Sequence, residues 1–288
     1  MILYKHRFIT AAECWYSAPV ERCPADVLHC LQLALPLGHS RTSDFKTIWI
    51  DLRKPEEQLL REMNKTTRNE IRRAAQEEFH CESWHEDVHN RVEEFCRFFE
   101  EHAVTAKAIA ETRRWTKAHA SHGSLDLSRA ISEDGNVLVW HAYYRDAEHA
   151  RLKYSVSVSR DTDGAMRAVI GRANRFLHWQ DIQRFKADSL TIYDLGGWYA
   201  GSDDEKLLRV NKFKDGFGGE LLTAFHCTRA LTTKGRLYIW VVDVRNRLAR
   251  FTSERRALAG HPKRDRNETQ QAVGRCCELA EKERQRRC

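Results

Sequence analysis

The sequence predicts a mixed α/β domain of α+β character, with helices on both sides of a largely antiparallel sheet. Three observations predict it. Residues 55–78 place apolar side chains every three or four positions, and residues 125–160 alternate with period two. The elements then run strand, long helix, helices, three-stranded meander, helix, strand, helix, strand. A doubly wound fold would alternate strand and helix strictly.

The elements follow in order. Residues 3–9 read as a short strand. Pro24 suits a first helical turn, Val27, Leu28, Leu31 and Leu35 recur at helical spacing, and Pro36 with Gly38 ends the run, so a helix is expected there. Ser40–Asp44 reads as a polar loop and Lys46–Leu52 as a strand. Pro55, Glu56 and Glu57 open a long amphipathic helix whose inner face is Leu59, Met63, Thr67, Ile71 and Ala74. Helices are expected at about 86–106 and 109–120, the first with Val92, Phe95, Phe99 and Ala103 on one face. Three antiparallel strands follow at 125–132, 136–145 and 150–160, the first turn marked by Asp134-Gly135. Then come a helix at 165–186, a strand at 189–193, a helix at 203–214, strands at 220–228 and 236–241, and a closing helix at 243–255. The expected organisation is a lead-in at 1–44, a domain at 45–255 and a basic tail at 256–288. Within 261–288, eight Lys and Arg face five Asp and Glu among few large apolar groups.

Composition narrows the function classes. Net charge is +7 and the pI about 8.9, which favours phosphate-bearing or other polyanionic partners. The nine cysteines are odd in number, scattered, and contain no Cys-x-x-Cys pair, unlike a secreted disulfide framework. Lys5, His6 and Arg7 interrupt the N-terminus before any apolar run of a signal peptide. The most apolar stretch, Val27–Leu37, is broken by His29, Gln32 and Pro36, so no membrane-spanning segment and a cytoplasmic location are expected. There is no Gly-x-Ser-x-Gly elbow of a serine hydrolase.

Two glycine-bearing segments carry the chemistry. In Thr191-Ile-Tyr-Asp-Leu-Gly-Gly-Trp198 a strand runs into Gly196 and Gly197, where a backbone can approach a ligand closely; an ordinary tight turn is the alternative. In Asn211-Lys-Phe-Lys-Asp-Gly-Phe-Gly-Gly-Glu220 the glycines, Gly218 and Gly219 among them, lie beside Phe213, Lys214 and Phe217. Backbone N–H groups of such a loop can cradle an anion, and Lys214 supplies a cation for a phosphate or a developing oxyanion. The segment is neither a Walker motif nor a dinucleotide fingerprint. Tyr193 suits protonation of a leaving group and Asp194 suits accepting a proton from an attacking amine; both also suit structural hydrogen bonds in a sheet. Arg68 and Arg72, in a stripe with Arg61 and Lys65, suit phosphate binding or a solvated face. His141 and Tyr143 share one strand face and suit an acceptor pocket, with His141 as a base, or a buried core; Trp140 on the other face reads as core. Cys81, His85 and His89 would share a helix face, but no fourth ligand is evident and no metal is expected.

In this order and spacing, the Tyr-Asp-Leu-Gly-Gly and Phe-Lys segments resemble the Fem peptidyltransferase branch of the N-acetyltransferase (GNAT) superfold. The resemblance takes in Thr47–Leu52, Glu62–Arg68, Ile71–Ala74 and Ala173–Gln180, and covers about 45–230. It implies a GNAT-type acyltransferase fold and acyl or aminoacyl transfer. It places Phe213 and Lys214 at the transferring centre, and Asn174 and Arg68 in family-like segments. The chain departs from the pattern in two ways. It has room for about one such fold, where the tRNA-using members carry two. Its nearest approach to the acyl-CoA signature, Arg160–Ala165, has one extra residue. Shorter relatives of this kind resemble acyltransferases of cell-surface polysaccharide or lipid pathways. The resemblance thus implies no tightly bound cofactor, acyl-CoA or aminoacyl-tRNA as donor, tRNA as a partner in the second case, and a nucleotide-sugar, lipid-linked or peptide acceptor. An acetyl-CoA-dependent N-acetyltransferase, or an RNA-binding protein on a decayed transferase fold, are the alternatives.

Overall fold

In a computed structural model of the chain, residues 1–6, 8–19, 23–102, 105–158 and 164–258 are described. Of the Arg160–Ala165 segment only Gly164 and Ala165 are among them, and of the tail only 256–258. The chain divides into two compact units, Met1–Gly235 and Arg236–Cys288.

The first unit is built on one ten-stranded sheet. Its strands are β1 (Ile2–His6), β2 (Ile9–Trp15), β3 (Val27–Leu33), β4 (Arg41–Asp51), β5 (His80–Trp84), β6 (Leu125–Ile131), β7 (Val137–Arg145), β8 (His149–Ser157), β9 (Ile192–Gly197) and β10 (Glu220–Ala230). Their order is β1-β2-β3-β10-β4-β9-β8-β7-β6-β5. Only β2–β3 and β8–β9 pair in parallel; the other neighbours are antiparallel. The first unit's helices are α1 (Glu56–Glu62), α2 (Lys65–Ala74), α3 (His89–His102), α4 (Ala106–Ser121), α5 (Gly164–Ala187) and α6 (Glu205–Asp215), and the described part of the second unit is helical, within α7 (Thr233–Leu258). The mixed, largely antiparallel α/β layout matches the sequence expectation.

Two apolar layers hold the helices to the sheet. Leu59 of α1, Met63 in the break after it, Ile71 of α2 and Trp179, Ile182 and Phe185 of α5 pack with Ile48, Ile50, Tyr143, Tyr193 and Leu195 of the strands. Val92, Phe95 and Cys96 of α3 and Trp115 of α4 pack with Leu125, Leu127, Trp140 and Tyr144. Each of these side chains is at least nine-tenths buried, and burial of a large apolar side chain contributes roughly 1.5–3 kcal/mol. Trp140 is core, as its strand face predicts.

Several elements differ from expectation. The segment 1–44, read as a lead-in, supplies three strands of the same sheet. Val27–Leu33 is strand β3 and not a helix: it sits between β2 and β10 with Val27, Leu28, Cys30 and Leu33 buried. A short apolar run buried by strands on both sides carries no period that separates it from a helix. The polar stretch from Arg41 is the outer half of β4, pairing with β10 from Arg41↔Thr228 onwards. Its exposed side chains hid a ladder made by the backbone. The long helix expected at 55–78 breaks at Met63, whose backbone is extended, and restarts where the Asn64 side chain accepts from Thr67 N at 2.8 Å. Residues 236–241 are helical within α7, where Leu237, Trp240, Val241 and Val244 recur at helical spacing.

Candidate functional site

The site forms where the two parallel strands β8 and β9 part. They pair only at His149↔Ile192, Ala150↔Tyr193 and Arg151↔Asp194. Beyond that point β8 continues to Ser157 and β9 turns at its terminal glycines. Gly196 has φ of 74°, and a Cβ there would lie 2.6 Å from the Leu152 carbonyl oxygen, so the close approach of the strands requires glycine.

A cavity of about 510 Å³ opens on one side of this split. Leu152, Ser155 and Ser157 of β8 and Asn174 and His178 of α5 form its floor, and α6 closes it with Lys206, Arg209, Val210, Phe213 and Lys214. The α6 positions are spaced 3, 1, 3 and 1 apart, which is one face of a helix. That face carries three cations with two apolar groups between them, so it suits a phosphate-bearing ligand with an apolar portion. The Asp204 side chain caps α6 by accepting from Lys206 N and Leu207 N. Buried Asn211 ties the preceding loop down, accepting from Tyr199 N at 3.0 Å and donating to Tyr199 O at 2.7 Å. This clamp sets the loop after β9 against the last turn of α6, where Lys214 Nζ donates to Gly197 O. Burial, with the charge of Arg151, lowers the Lys214 ammonium to about 8, against an opposing pull from Asp194.

Asp194 holds the split from the other side of β9. Its Oδ1 accepts from Gly196 N at 2.7 Å and from the Thr47 hydroxyl, and its Oδ2 from the Tyr16 hydroxyl at 3.3 Å. The carboxylate is fully buried and both oxygens are engaged. Its geometry is that of a group positioning the glycine turn.

Behind the cavity floor lies a buried polar network. Asn174, His178 and Asp181 lie four and then three residues apart on α5 and all face the sheet. His178 Nδ1 lies 2.6 Å from the Tyr193 hydroxyl, which lies 2.8 Å from the Tyr143 hydroxyl, which donates to Asp181 Oδ2 at 2.7 Å. His141 Nδ1 lies 3.0 Å from the same carboxylate oxygen, and its Nε2 3.0 Å from Asn174 Oδ1. Ser128 and Arg184 also donate to Asp181. Burial alone would raise the Asp181 carboxyl, but the His141 hydrogen bond and the Arg184 charge outweigh it and hold it below its usual value. Burial, then the Asp181 charge, pushes both tyrosines far above the ordinary phenol range. Buried polar groups satisfied in this way fix one arrangement of the core.

The structure therefore brings together Lys214, Phe213 and Asn174 at the cavity, with Gly196 and Gly197 beside the Lys214 ammonium and Tyr193, His141 and Tyr143 one layer beneath the cavity. Phe217 is buried against His178 and Phe213. Gly218 and Gly219 do not reach the cavity. Cβ atoms there would lie 2.7 Å from Glu62 O and 2.5 Å from Trp49 O, so these glycines serve close backbone packing. Arg68 donates to the carbonyls of Arg61 and Met63 at the end of α1, and Arg72 lies near Asn69 on the outer face of α2. Neither arginine lines the cavity. Cys81 is on strand β5 and His89 begins α3, so the helical spacing assumed for them does not exist. Among the described residues no cluster of His, Cys, Asp or Glu is arranged to hold a metal.

Sequence reasoning missed His178 and Asp181 as individual site residues, together with Ser155, Lys206 and Arg209. The available signal was polar side chains at 174, 178 and 181 on the same buried stretch of helix as Ile170, Ala173, Leu177 and Ile182. Another cavity, of about 550 Å³, lies near Thr10, Asp26 and Arg229. Its Asp26 is already engaged by Thr10 N and Thr232 Oγ1, and the cavity brings together no comparable reactive set.

No protein-family model matches the chain, and no curated protein matches it. Solved structures of similar fold include FemX, at 12% identity and a TM-score of 0.49, covering 63% of this chain and 61% of that one. They also include a C-terminal domain assigned to a lysylphosphatidylglycerol synthetase from Agrobacterium fabrum, at 13% and 0.46, covering 75% and 72%. A tandem GNAT protein from the clavulanic acid biosynthesis pathway matches at 13% and 0.35, covering 70% and 63%. The chain thus spans 61% of the FemX chain it matches. Among the described residues no helix is long and apolar enough to cross a membrane.

Proposed function

We propose that this protein is an acyl- or aminoacyl-transferase acting on an amine of a sugar or peptide acceptor, in cell-envelope polysaccharide or peptidoglycan-related biosynthesis in the cytoplasm. One observation carries the reading: the Lys214 ammonium sits in the split between two parting strands, beside the Gly197 carbonyl and on the wall of a cavity that holds two further cations. Acyl transfer passes through a tetrahedral oxyanion, and a fixed cation in a partly dry site lowers that barrier. Lys206 and Arg209 suit the phosphates of the donor, whether acyl-CoA or aminoacyl-tRNA. Asp194 keeps the glycine turn and Lys214 in register. The motif resemblance over about 45–230 supports the same reading. The six described cysteines are all free, in keeping with a reducing compartment.

Calorimetric titration of the full chain with acetyl-CoA and with an aminoacyl-tRNA tests the donor. Binding of at least one is expected, weakened about tenfold or more when Lys206 and Arg209 are both alanine. Binding of CoA assigns an N-acetyltransferase-type donor, and binding of the charged tRNA alone assigns aminoacyl transfer. Binding of neither contradicts the proposal. Salt-sensitive binding of uncharged RNA with no turnover of either donor would favour an RNA-binding protein on a decayed fold.

A further inference from the structure

We propose that His178 is the general base of the transfer reaction: its bare Nε2 takes the proton of the attacking amine, and two tyrosine hydroxyls ending on Asp181 hold the ring in that tautomer. The inference rests on the transferase reading and assigns it a catalytic group.

The direction of the chain follows from counting protons. Each phenol carries one. The Tyr143 proton goes to the Asp181 carboxylate at 2.7 Å. The proton shared over 2.8 Å between Tyr143 and Tyr193 is therefore that of Tyr193. The short 2.6 Å contact between Tyr193 and His178 then has one donor left, which is His178 Nδ1–H. A neutral imidazole with its proton on Nδ1 has its lone pair on Nε2. His178 is at the cavity wall, and Phe213 and Phe217 pack on the ring with centroids 5.7 and 4.9 Å away. Ring and chain together give the arrangement in which a base is oriented by a third group.

The charged and titratable groups facing the ring come from four elements. They are His141 and Tyr143 on β7, Tyr193 on β9, Arg175 and Asp181 on α5, and Lys214 on α6. Burial, with the charges of His141, Lys214 and Arg175, holds His178 well below the ordinary imidazole range, so it is neutral at neutral pH and keeps one ring nitrogen unprotonated.

The step balances. The amine lone pair forms the new C–N bond to the acyl carbon, and the carbonyl π pair moves to oxygen beside the Lys214 ammonium. The amine proton passes to His178 Nε2. When the oxyanion pair returns, the C–S bond of a thioester or the C–O bond of an aminoacyl ester breaks, and the leaving group takes the proton from Nε2. No oxidant or reductant is involved, and His178 returns to its starting tautomer.

The test uses the full chain. Nitrogen-15 spectra of the histidine rings, with no donor or acceptor present, read the tautomer of His178. The expected result is a protonated Nδ1 and a bare Nε2 from about pH 5.5 to pH 8, where an ordinary histidine would titrate. Tyr193→Phe removes the hydroxyl that fixes the tautomer and is expected to give a mixture. In transfer from acetyl-CoA or an aminoacyl-tRNA to glucosamine or a lysine-containing peptide, His178→Gln is expected to lower kcat by about 10²–10⁴-fold with donor KM within about twofold. The wild-type acid limb should lie below that of an unperturbed imidazole. A proton on Nε2 in the wild type, or wild-type kcat in His178→Gln, overturns the proposal. A wild-type protein that binds no donor removes the transferase reading, and with it the base's role, while the spectra still report whether the relay exists.

Discussion

If the chain transfers acyl groups as proposed, the Lys214→Met protein is expected to do so on the order of 10²–10³-fold more slowly than wild type, with little change in stability. Methionine keeps the length and apolar stem of the side chain but removes the charge beside the Gly197 carbonyl. The ammonium is already costly to hold there, since burial and Arg151 lower it to about 8. Removing it therefore takes away a charge that is costly to the fold and, in the proposed reaction, a stabilising charge from the transition state. Donor affinity should change less than rate, because Lys206 and Arg209 remain on the same helix face. Single-turnover release of CoA or of uncharged tRNA, with glucosamine or a lysine-containing peptide as acceptor, measures the effect. A rate within about threefold of wild type would remove Lys214 from the chemistry.

The largest expected loss of stability comes from Asp194→Ala, at roughly 3 kcal/mol. The side chain is fully buried and accepts from Gly196 N and from the hydroxyls of Thr47 and Tyr16. Alanine removes the acceptor of Gly196 N and of the Tyr16 hydroxyl, while the Thr47 hydroxyl keeps the Gly196 carbonyl as its acceptor, and an unpaired buried donor costs about 1–3 kcal/mol. For a unit of this size the melting temperature should fall by on the order of 10 °C. The Gly196 turn should loosen with it, so transfer falls as well, in rate more than in donor binding. Thermal unfolding followed by circular dichroism reads the first effect. A shift under about 2 °C would mean that the carboxylate does not hold the split.

The site was legible in the sequence where its parts are local, and hidden where tertiary placement makes them. Gly196, Gly197, Phe213 and Lys214 stood out because glycine pairs and a lysine beside them are unusual at any position. Asn174, His178 and Asp181 become a site only when α5 lies across β7 and β9, which no local window records. Arg68 and Arg72 show the opposite case, since the structure places both away from the cavity. Their spacing matched a phosphate-gripping stripe, but one is taken up by the carbonyls at the end of α1 and the other lies on an outer face. The break that places Arg68 there was readable, since Asn64 is a strong helix cap three residues before Thr67. The run Val27–Leu33 was not readable in the same way: its apolar residues fit a buried strand and a helix equally, and only its neighbours β2 and β10 decide.

The pH profile separates the role of Lys214 in the reaction from its role in the fold. In the proposed reaction the charged form is the useful one, so the rate should fall as pH rises through about 8. Stability moves the other way for this residue. Between about 8 and the ordinary lysine value the unfolded chain holds more proton than the folded one, so stability rises with pH across that window. Lys153, also lowered to about 8 by burial, adds to the same trend.

The most direct measurement is the pH–rate profile of transfer by wild type and by Lys214→Arg. An arginine at this position stays charged throughout the range. The predicted result is an alkaline limb near 8 in the wild type that disappears in the arginine protein, whatever its absolute rate. A wild-type rate that holds level well above that pH, or the same limb in both proteins, would contradict a catalytic cation at the strand split.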